Sequence, residues 1–335
     1  MELPAELLLL ILDDLGSTFF RQNIRCLTLS RRWYHLAWQI FVRDLRLTAS
    51  SVRELVNNDR LFQRCRPYIV TAELFLNGIP EWRTSKRHEI ELDTVYKLTC
   101  ELNMSLVLLA GKLQQTPSLR YLKLKAGPEN PALGLPRRGY LDVTPLAGLL
   151  FIRHLTSLEF DTAGSYPRSR MGDPNTHLCS FINSLLPSLQ RLRCRMDNVC
   201  ERLLDPPISK TKLRLEDLII NLSLSELSET VTSYRYPKRC HYVPDGDFLR
   251  LKERIEKQAT ALVCRLENPR FVRVLSHEFP SLKMTCFDAI TGGRMWLKDS
   301  SCWDADGIVI AGEEGDLEDV TDLFDTSLAE QEIGI

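Results

Sequence analysis

The sequence lacks most of the features that announce a chemistry. Its 10 cysteines include no Cys-x-x-Cys pair, which argues against a zinc module and against a compact disulfide framework. Scattered in this way they read as buried thiols of a reducing compartment, cytoplasmic or nuclear. There is no phosphate-cradling glycine loop, no His-Glu-x-x-His and no Gly-x-Ser-x-Gly, so the common nucleotide, metalloprotease and serine-hydrolase signatures are missing. No apolar run approaches the roughly 18 residues of a membrane span. Net charge is almost nil, −1 at pH 7, but it hides an asymmetry. Nine acidic residues and no basic one fall between Glu313 and Ile335, so residues 312–335 are expected to be an acidic, disordered tail. No enzyme activity, cofactor or metal is expected from this inventory.

What the chain does have begins at Leu3. Pro4 suits the first turn of a helix, where an amide hydrogen has no partner to lose, and Glu2 and Glu6 sit at the positive end of its dipole. Leu7 to Leu12 are six consecutive large aliphatic residues. At about 100° per residue six in a row cover the whole helix circumference, and a helix apolar all round must be buried all round. Its own domain covers one side, and a partner protein is the natural cover for the other. A secretory signal fails as an alternative, because there is no basic n-region, the apolar run is short and Asp13-Asp14 follow it. Ile24 and Leu27 mark the inner face of a second helix. Ser30 can cap a third, in which Trp33, Leu36, Ala37, Ile40 and Phe41 recur at helical spacing.

Leu3-Pro4-x-Glu6-Leu7-Leu8-x-x-Ile11-x-x-x-Leu15, followed by Leu27 and Ser30-Arg31-Arg32-Trp33, resembles an F-box. The resemblance implies a three-helix unit over residues 1–47 that docks on the Skp-type adaptor of a cullin ubiquitin ligase. The contact would be carried by Leu3, Pro4, Leu7, Leu8, Ile11, Leu15, Leu27 and Trp33. It also implies that ubiquitin transfer is done by other subunits.

The remainder repeats. Pro-Ser-Leu occurs at 117–119, 187–189 and 280–282. Leu-x-x-Leu-x-apolar stretches start at 42 (with valine first), 119, 155, 189 and 215, with partial matches at 71 and 282. Helix-like segments lie between them, at Asp93–Gln115, His177–Leu186 and Phe248–Leu266. The pattern resembles an irregular leucine-rich repeat, which implies an α/β solenoid with a parallel sheet over residues 48–311. Insertions rich in Pro, Gly, Ser or charge fall at Asn77–Glu91, Ala126–Tyr140, Gly164–Thr176 and Thr232–Gly246.

Aligning the strands by their leucines puts Lys123, Glu159, Arg193 and Ile219 in one lateral row on the solvent side. Tyr121, Lys123, Arg191, Arg193 and Arg195 then form a candidate surface for an acidic or phosphorylated target. A neutralising ladder of cross-strand pairs is the alternative. His177-x-Cys179 and Cys240-His241 read as isolated core or loop residues. The basic, aromatic run Tyr234–Arg239 reads as a solvated loop, leaving nucleic acid an unlikely partner. The two resemblances together imply a non-catalytic substrate receptor that joins an adaptor, and through it a cullin, to a target protein. The competing expectation is a structural interaction scaffold with no ubiquitin transfer.

Overall fold

The computed structural model describes residues 3–78, 92–127, 139–165, 167, 177–206, 212–224, 236–240, 248–277, 283–298 and 302–310. The chain opens with α1 (Ala5–Gln22) directly after Pro4. Gly16, with φ +68°, divides α1 into two arms. A left-handed residue ends a helical run, and glycine takes that conformation without a Cβ clash. A five-residue 3-10 turn, Ile24–Thr28, leads to α2 (Arg31–Arg43). Ser30 caps α2 by accepting the Trp33 N–H at 3.1 Å. The second of the three expected helices is therefore only a 3-10 turn. Leu27 is buried there, but Ile24 is exposed and marks no inner face. Leu12, Phe20, Leu27, Ala37 and Ile40 form a small core of their own, with Trp33, Leu36 and Phe41 packed on it.

From Asp44 the chain builds a sheet. Its strands are β1 (Asp44–Thr48), β2 (Thr71–Leu76), β3 (Tyr121–Ala126), β4 (Ser157–Asp161), β5 (Arg191–Arg195), β6 (Asn198–Val199), β7 (Asp217–Asn221), β8 (Lys238–Arg239), β9 (Phe271–His277), β10 (Met284–Asp288), β11 (Arg294–Leu297) and β12 (Ile308–Val309). Ten of them form one open sheet, in the order β1-β2-β3-β4-β5-β7-β9-β10-β11-β12. Pairing is parallel from β1 to β9 and antiparallel from there to β12. β6 and β8 pair separately. Helices α3 (Ala49–Asn57), α4 (Asp59–Cys65), α5 (Leu92–Gln114), α6 (Val143–Leu150), α7 (Leu178–Leu185) and α8 (Phe248–Val263) fill the connections.

Strand order follows chain order because no single strand–helix unit can bury its apolar face, and each covers its neighbour's. Leu47, Leu74, Leu124, Phe160, Cys194, Ile220 and Val274 stand in one hydrogen-bonded row. All are buried in a continuous core. Leu102, Leu106, Leu109 and Leu113 of α5, at helical spacing, share that core with Leu149 of α6, Ile182 of α7 and Ile255 of α8.

The α/β class and the mostly parallel sheet agree with expectation, and several details need correcting. Ala72 lies opposite Leu45 and Leu122, so the unit expected to start at Thr71 starts at Ile69, a fully buried residue. The seventh parallel strand is β9, not the stretch after 282. β10 instead folds back antiparallel on β9 and continues into β11 through a turn that uses Gly292 at φ +73°. The first boundary, set at 47, falls inside β1, which pairs with β2 from Asp44 onward. Most of the four insertions, the third Pro-Ser-Leu, Tyr234-Arg235 and the tail beyond 310 lie outside the described residues. Among the described residues no helix is long and apolar enough to cross a membrane.

Candidate functional site

The first arm of α1 carries an uncovered apolar face. Leu3, Leu7, Ile11 and Leu15, four residues apart, are 50%, 46%, 47% and 39% exposed, and Leu10 beside them is 66% exposed. Residues at this spacing stack on one side of a helix. Exposed leucines standing singly are ordinary, whereas a contiguous patch marks an interaction site. The arm is held in place by polar ties. Arg32 donates to the Leu3 carbonyl at 2.8 Å, and Arg43 pairs with Asp13. Past the break at Gly16, Ser17 of the second arm donates to Asp44 Oδ2 at 2.5 Å and accepts from Arg21 at 2.9 Å. The other predicted docking residues divide. Pro4 is exposed at the helix start and Leu8 is half-buried. Leu27 and Trp33 belong to the small core, where the Trp33 indole N–H donates to the Cys26 carbonyl. Those two hold the surface up and do not form it.

The solvent side of the sheet has the predicted row and continues it in both directions. Register places Arg46, Glu73, Lys123, Glu159, Arg193, Ile219 and Arg273 side by side. Alternating signs pair off across strands. Arg46 meets Glu73 at 2.7 Å and Lys123 meets Glu159 at 2.6 Å. Tyr121 donates to Glu159 at 3.2 Å. Burial, followed by the Glu159 charge, pushes its phenol well above the ordinary range, so it stays a donor.

The three arginines of β5 are not the expected surplus of positive charge. Arg195 is buried and grips Asp161 with two bonds, at 2.9 and 2.6 Å. Arg191 reaches Asp217 at 3.1 Å, a carboxylate it shares with Arg270. Arg193 holds Asp304 at 2.5 Å. That last acid comes from a strap, residues 302–306, laid over β5, β7 and β9. Trp303 stacks on Arg195 with 5.2 Å to the ring centroid, and Arg273 donates to the Ala305 carbonyl at 3.0 Å. Trp303 also packs on the cluster that buries Ile219. The predicted recognition surface is thus occupied over its second half by the chain itself.

Asp304 makes the strap sensitive to acid. Burial works against its charged form, but the Arg193 hydrogen bond and charge prevail and hold its carboxyl below the usual range. A carboxyl depressed in the folded state contributes stability above its unfolded value of about 3.9, and loses it as pH falls through the lower folded value. Asp304 is partly exposed, so the contribution is at most about 1 kcal/mol. Acrylamide quenching of Trp303, followed in a variant with the other four tryptophans replaced by phenylalanine, should therefore rise below about pH 4. In Arg193→Gln the partner cation is gone, so quenching should already be high at neutral pH and should not rise further on acidification; the same pH profile in both proteins would refute the link.

Sequence reading missed a third constellation. His177, Cys179, Cys200 and Cys240 converge, all buried, with their ligand-type atoms within 4.8 Å of one another. Cys179 Sγ lies 3.7 Å from Cys240 Sγ, and Cys200 Sγ lies 3.8 Å from His177 Nδ1. Hydrogen bonds from Cys179 and Cys240, then His177, draw the Cys200 thiol far below its ordinary range, while Cys179 is pushed up first by its bond to Cys200. In the sequence His177-x-Cys179 and Cys240-His241 are isolated pairs, with His177 and Cys240 63 positions apart. The only available signal was His177-x-Cys179 at the start of a helix.

No protein-family model matches the chain, and no curated protein does.

Proposed function

We propose that this chain is the non-catalytic substrate receptor of a Skp–cullin–F-box ubiquitin ligase. In this reading α1 docks on the Skp-type adaptor, and an irregular leucine-rich repeat solenoid carries the target protein. The observation that carries the reading is the stripe Leu7, Ile11 and Leu15, with Leu3 just before the helix, exposed on an arm tied to its own small core. A rigid apolar stripe loses little conformational entropy on binding. The leucine ladder on strands added in chain order supports the solenoid part. With the strap over β5 to β9, the target is left the half of the face nearer β1, around Arg46, Tyr121 and Lys123. Ubiquitin transfer then follows from proximity, since a held lysine is at high effective concentration near the conjugating enzyme.

Affinity purification of the intact chain should recover the adaptor and a cullin. Leu7→Asp/Ile11→Asp changes two exposed positions, so circular dichroism should be unchanged. Adaptor affinity should fall by about 2 kcal/mol or more, roughly 30-fold. A wild-type chain without adaptor, or a double variant that still binds normally, would sink the reading.

A further inference from the structure

The geometry points to a structural zinc site formed by His177 Nδ1 and the thiolates of Cys179, Cys200 and Cys240, a site independent of the docking function above. Tetrahedral zinc has bonds of about 2.3 Å to sulfur and about 2.0–2.1 Å to imidazole nitrogen. Those lengths place neighbouring ligand atoms about 3.5–3.8 Å apart. Two of the pairs here stand at 3.7 and 3.8 Å, and all four atoms lie within 4.8 Å of one another. Shifts of about an ångström or less close the tetrahedron. Four protein donors leave no open position, and all four residues are buried, so the site is of the closed, structural kind and not a catalytic one.

Competing explanations fit the same atoms less well. A disulfide needs sulfurs about 2.05 Å apart, and it would use two thiols of three, stranding Cys200 beside His177. Plain apolar packing gives no reason for an imidazole nitrogen to face three sulfurs, since a thiol is a weak donor and a weak acceptor. Each donor is also placed by backbone structure. His177 is the N-cap residue of α7 and Cys179 lies in its first turn. Cys200 follows β6 and caps the 3-10 turn Glu201–Leu204. Cys240 follows β8, its N–H bonded to the Val199 carbonyl at 3.3 Å.

That arrangement also says what the metal is for. Segment 236–240 joins the molecule through a two-residue parallel pair, β6 with β8, an Arg239–Glu201 ion pair and the stacking of Tyr236 on Phe248 at 3.9 Å. So short a pair has no independent stability. Zinc would fasten this segment, the strand end at Cys200 and the start of α7 to one point. Ligands spread over three segments far apart in sequence couple metal binding to folding.

Chain purified without chelator should contain one zinc per molecule by atomic emission. Cobalt(II) added to zinc-stripped protein should give the intense visible bands of a tetrahedral site together with thiolate-to-metal charge transfer. Zinc should displace it stoichiometrically. Cys200→Ser and Cys240→Ser should each abolish both signals, whereas Cys264→Ser, at an exposed cysteine, should leave them intact. If a ligand variant fails to fold, the wild-type stoichiometry and cobalt spectrum still decide. The proposal is overturned by a wild-type chain that neither carries nor takes up metal, by an octahedral cobalt spectrum, or by a Cys179–Cys240 disulfide in the native protein.

Discussion

Replacing Arg195 by methionine should destabilise the chain by about 3–5 kcal/mol, read as a lowered urea midpoint. Arg195 and Asp161 are both nearly inaccessible, 7% and 5% exposed, on adjacent strands and in direct register. Two hydrogen bonds join them. A bidentate guanidinium–carboxylate pair offsets the cost of taking two charges out of water only while both are present. Methionine keeps most of the volume and removes the cation. Asp161 then keeps its bond from the Ala163 N–H at 3.1 Å, which is far from enough to balance a buried charge. The same substitution removes the stacking partner of Trp303, so the strap should loosen too. Asp161→Leu combined with Arg195→Met should recover more than half of the loss, because an apolar pair has no charge to desolvate. An Arg195→Met variant within about 1 kcal/mol of wild type, or a double variant whose loss is the sum of the two singles, would show that the pair is not what holds β4 to β5.

The pairing of β4 with β5 is also where the sequence was most legible. Leucine spacing alone set Leu158 opposite Leu192 and Glu159 opposite Arg193, and the strands pair in that register. A one-residue slip would turn every leucine to water, so the pattern excludes it. Legibility stopped where the pattern was carried by other residues. β9 uses Val272 and Val274 in place of leucines, so Pro-Ser-Leu at 280–282 drew attention to the following strand instead. On β2, Ala72 stands where the neighbouring units have leucine, so the leucine pattern alone puts the start of that unit two residues late. Short helices such as α4 and α6 have too few turns to show a period.

The site was readable only in its local part. Leu3, Leu7, Ile11 and Leu15 fall within one short stretch that the F-box resemblance covers, and all four are exposed. Asp304 reaches Arg193 from 111 residues away, and His177 meets Cys200 and Cys240 only after α7, β6 and β8 are placed. A contact between distant segments leaves no periodic trace in a single sequence. Strand spacing alone therefore leaves the arginines of β5 as a surplus, although their partners Asp161, Asp217 and Asp304 lie in the same chain.

A second large loss is expected from Asn103→Leu, about 2–4 kcal/mol, as each of its buried hydrogen bonds costs roughly 1–3 kcal/mol to break. Asn103 on α5 is 5% exposed. Its Nδ2 donates to the Thr99 carbonyl at 2.8 Å and to the Tyr140 carbonyl at 2.9 Å, and its Oδ1 accepts the Asp142 N–H at 2.8 Å. Those bonds fasten the segment that returns from the insertion between β3 and α6. Tyr140 completes the clasp from the other side. It is fully buried, and its hydroxyl stands 2.6 Å from the Leu76 carbonyl and 2.9 Å from that of Gly127. A Cβ at Gly127 would come within 2.5 Å of Asn77 Oδ1, the end of an exposed side chain that would have to turn aside. Leucine has the same number of side-chain heavy atoms as asparagine but offers neither donor nor acceptor, so α5 keeps its leucines in the core and loses its grip on residues 140–142. Tyr140→Phe removes only the hydroxyl and should cost less, about 1–2 kcal/mol. Because both variants release the same segment, the double variant should lose less than the two singles together. Urea midpoints for the four proteins give that comparison directly. If Asn103→Leu melts with wild type while Tyr140→Phe does not, the clasp is held by the tyrosine alone and α5 contributes only its leucines.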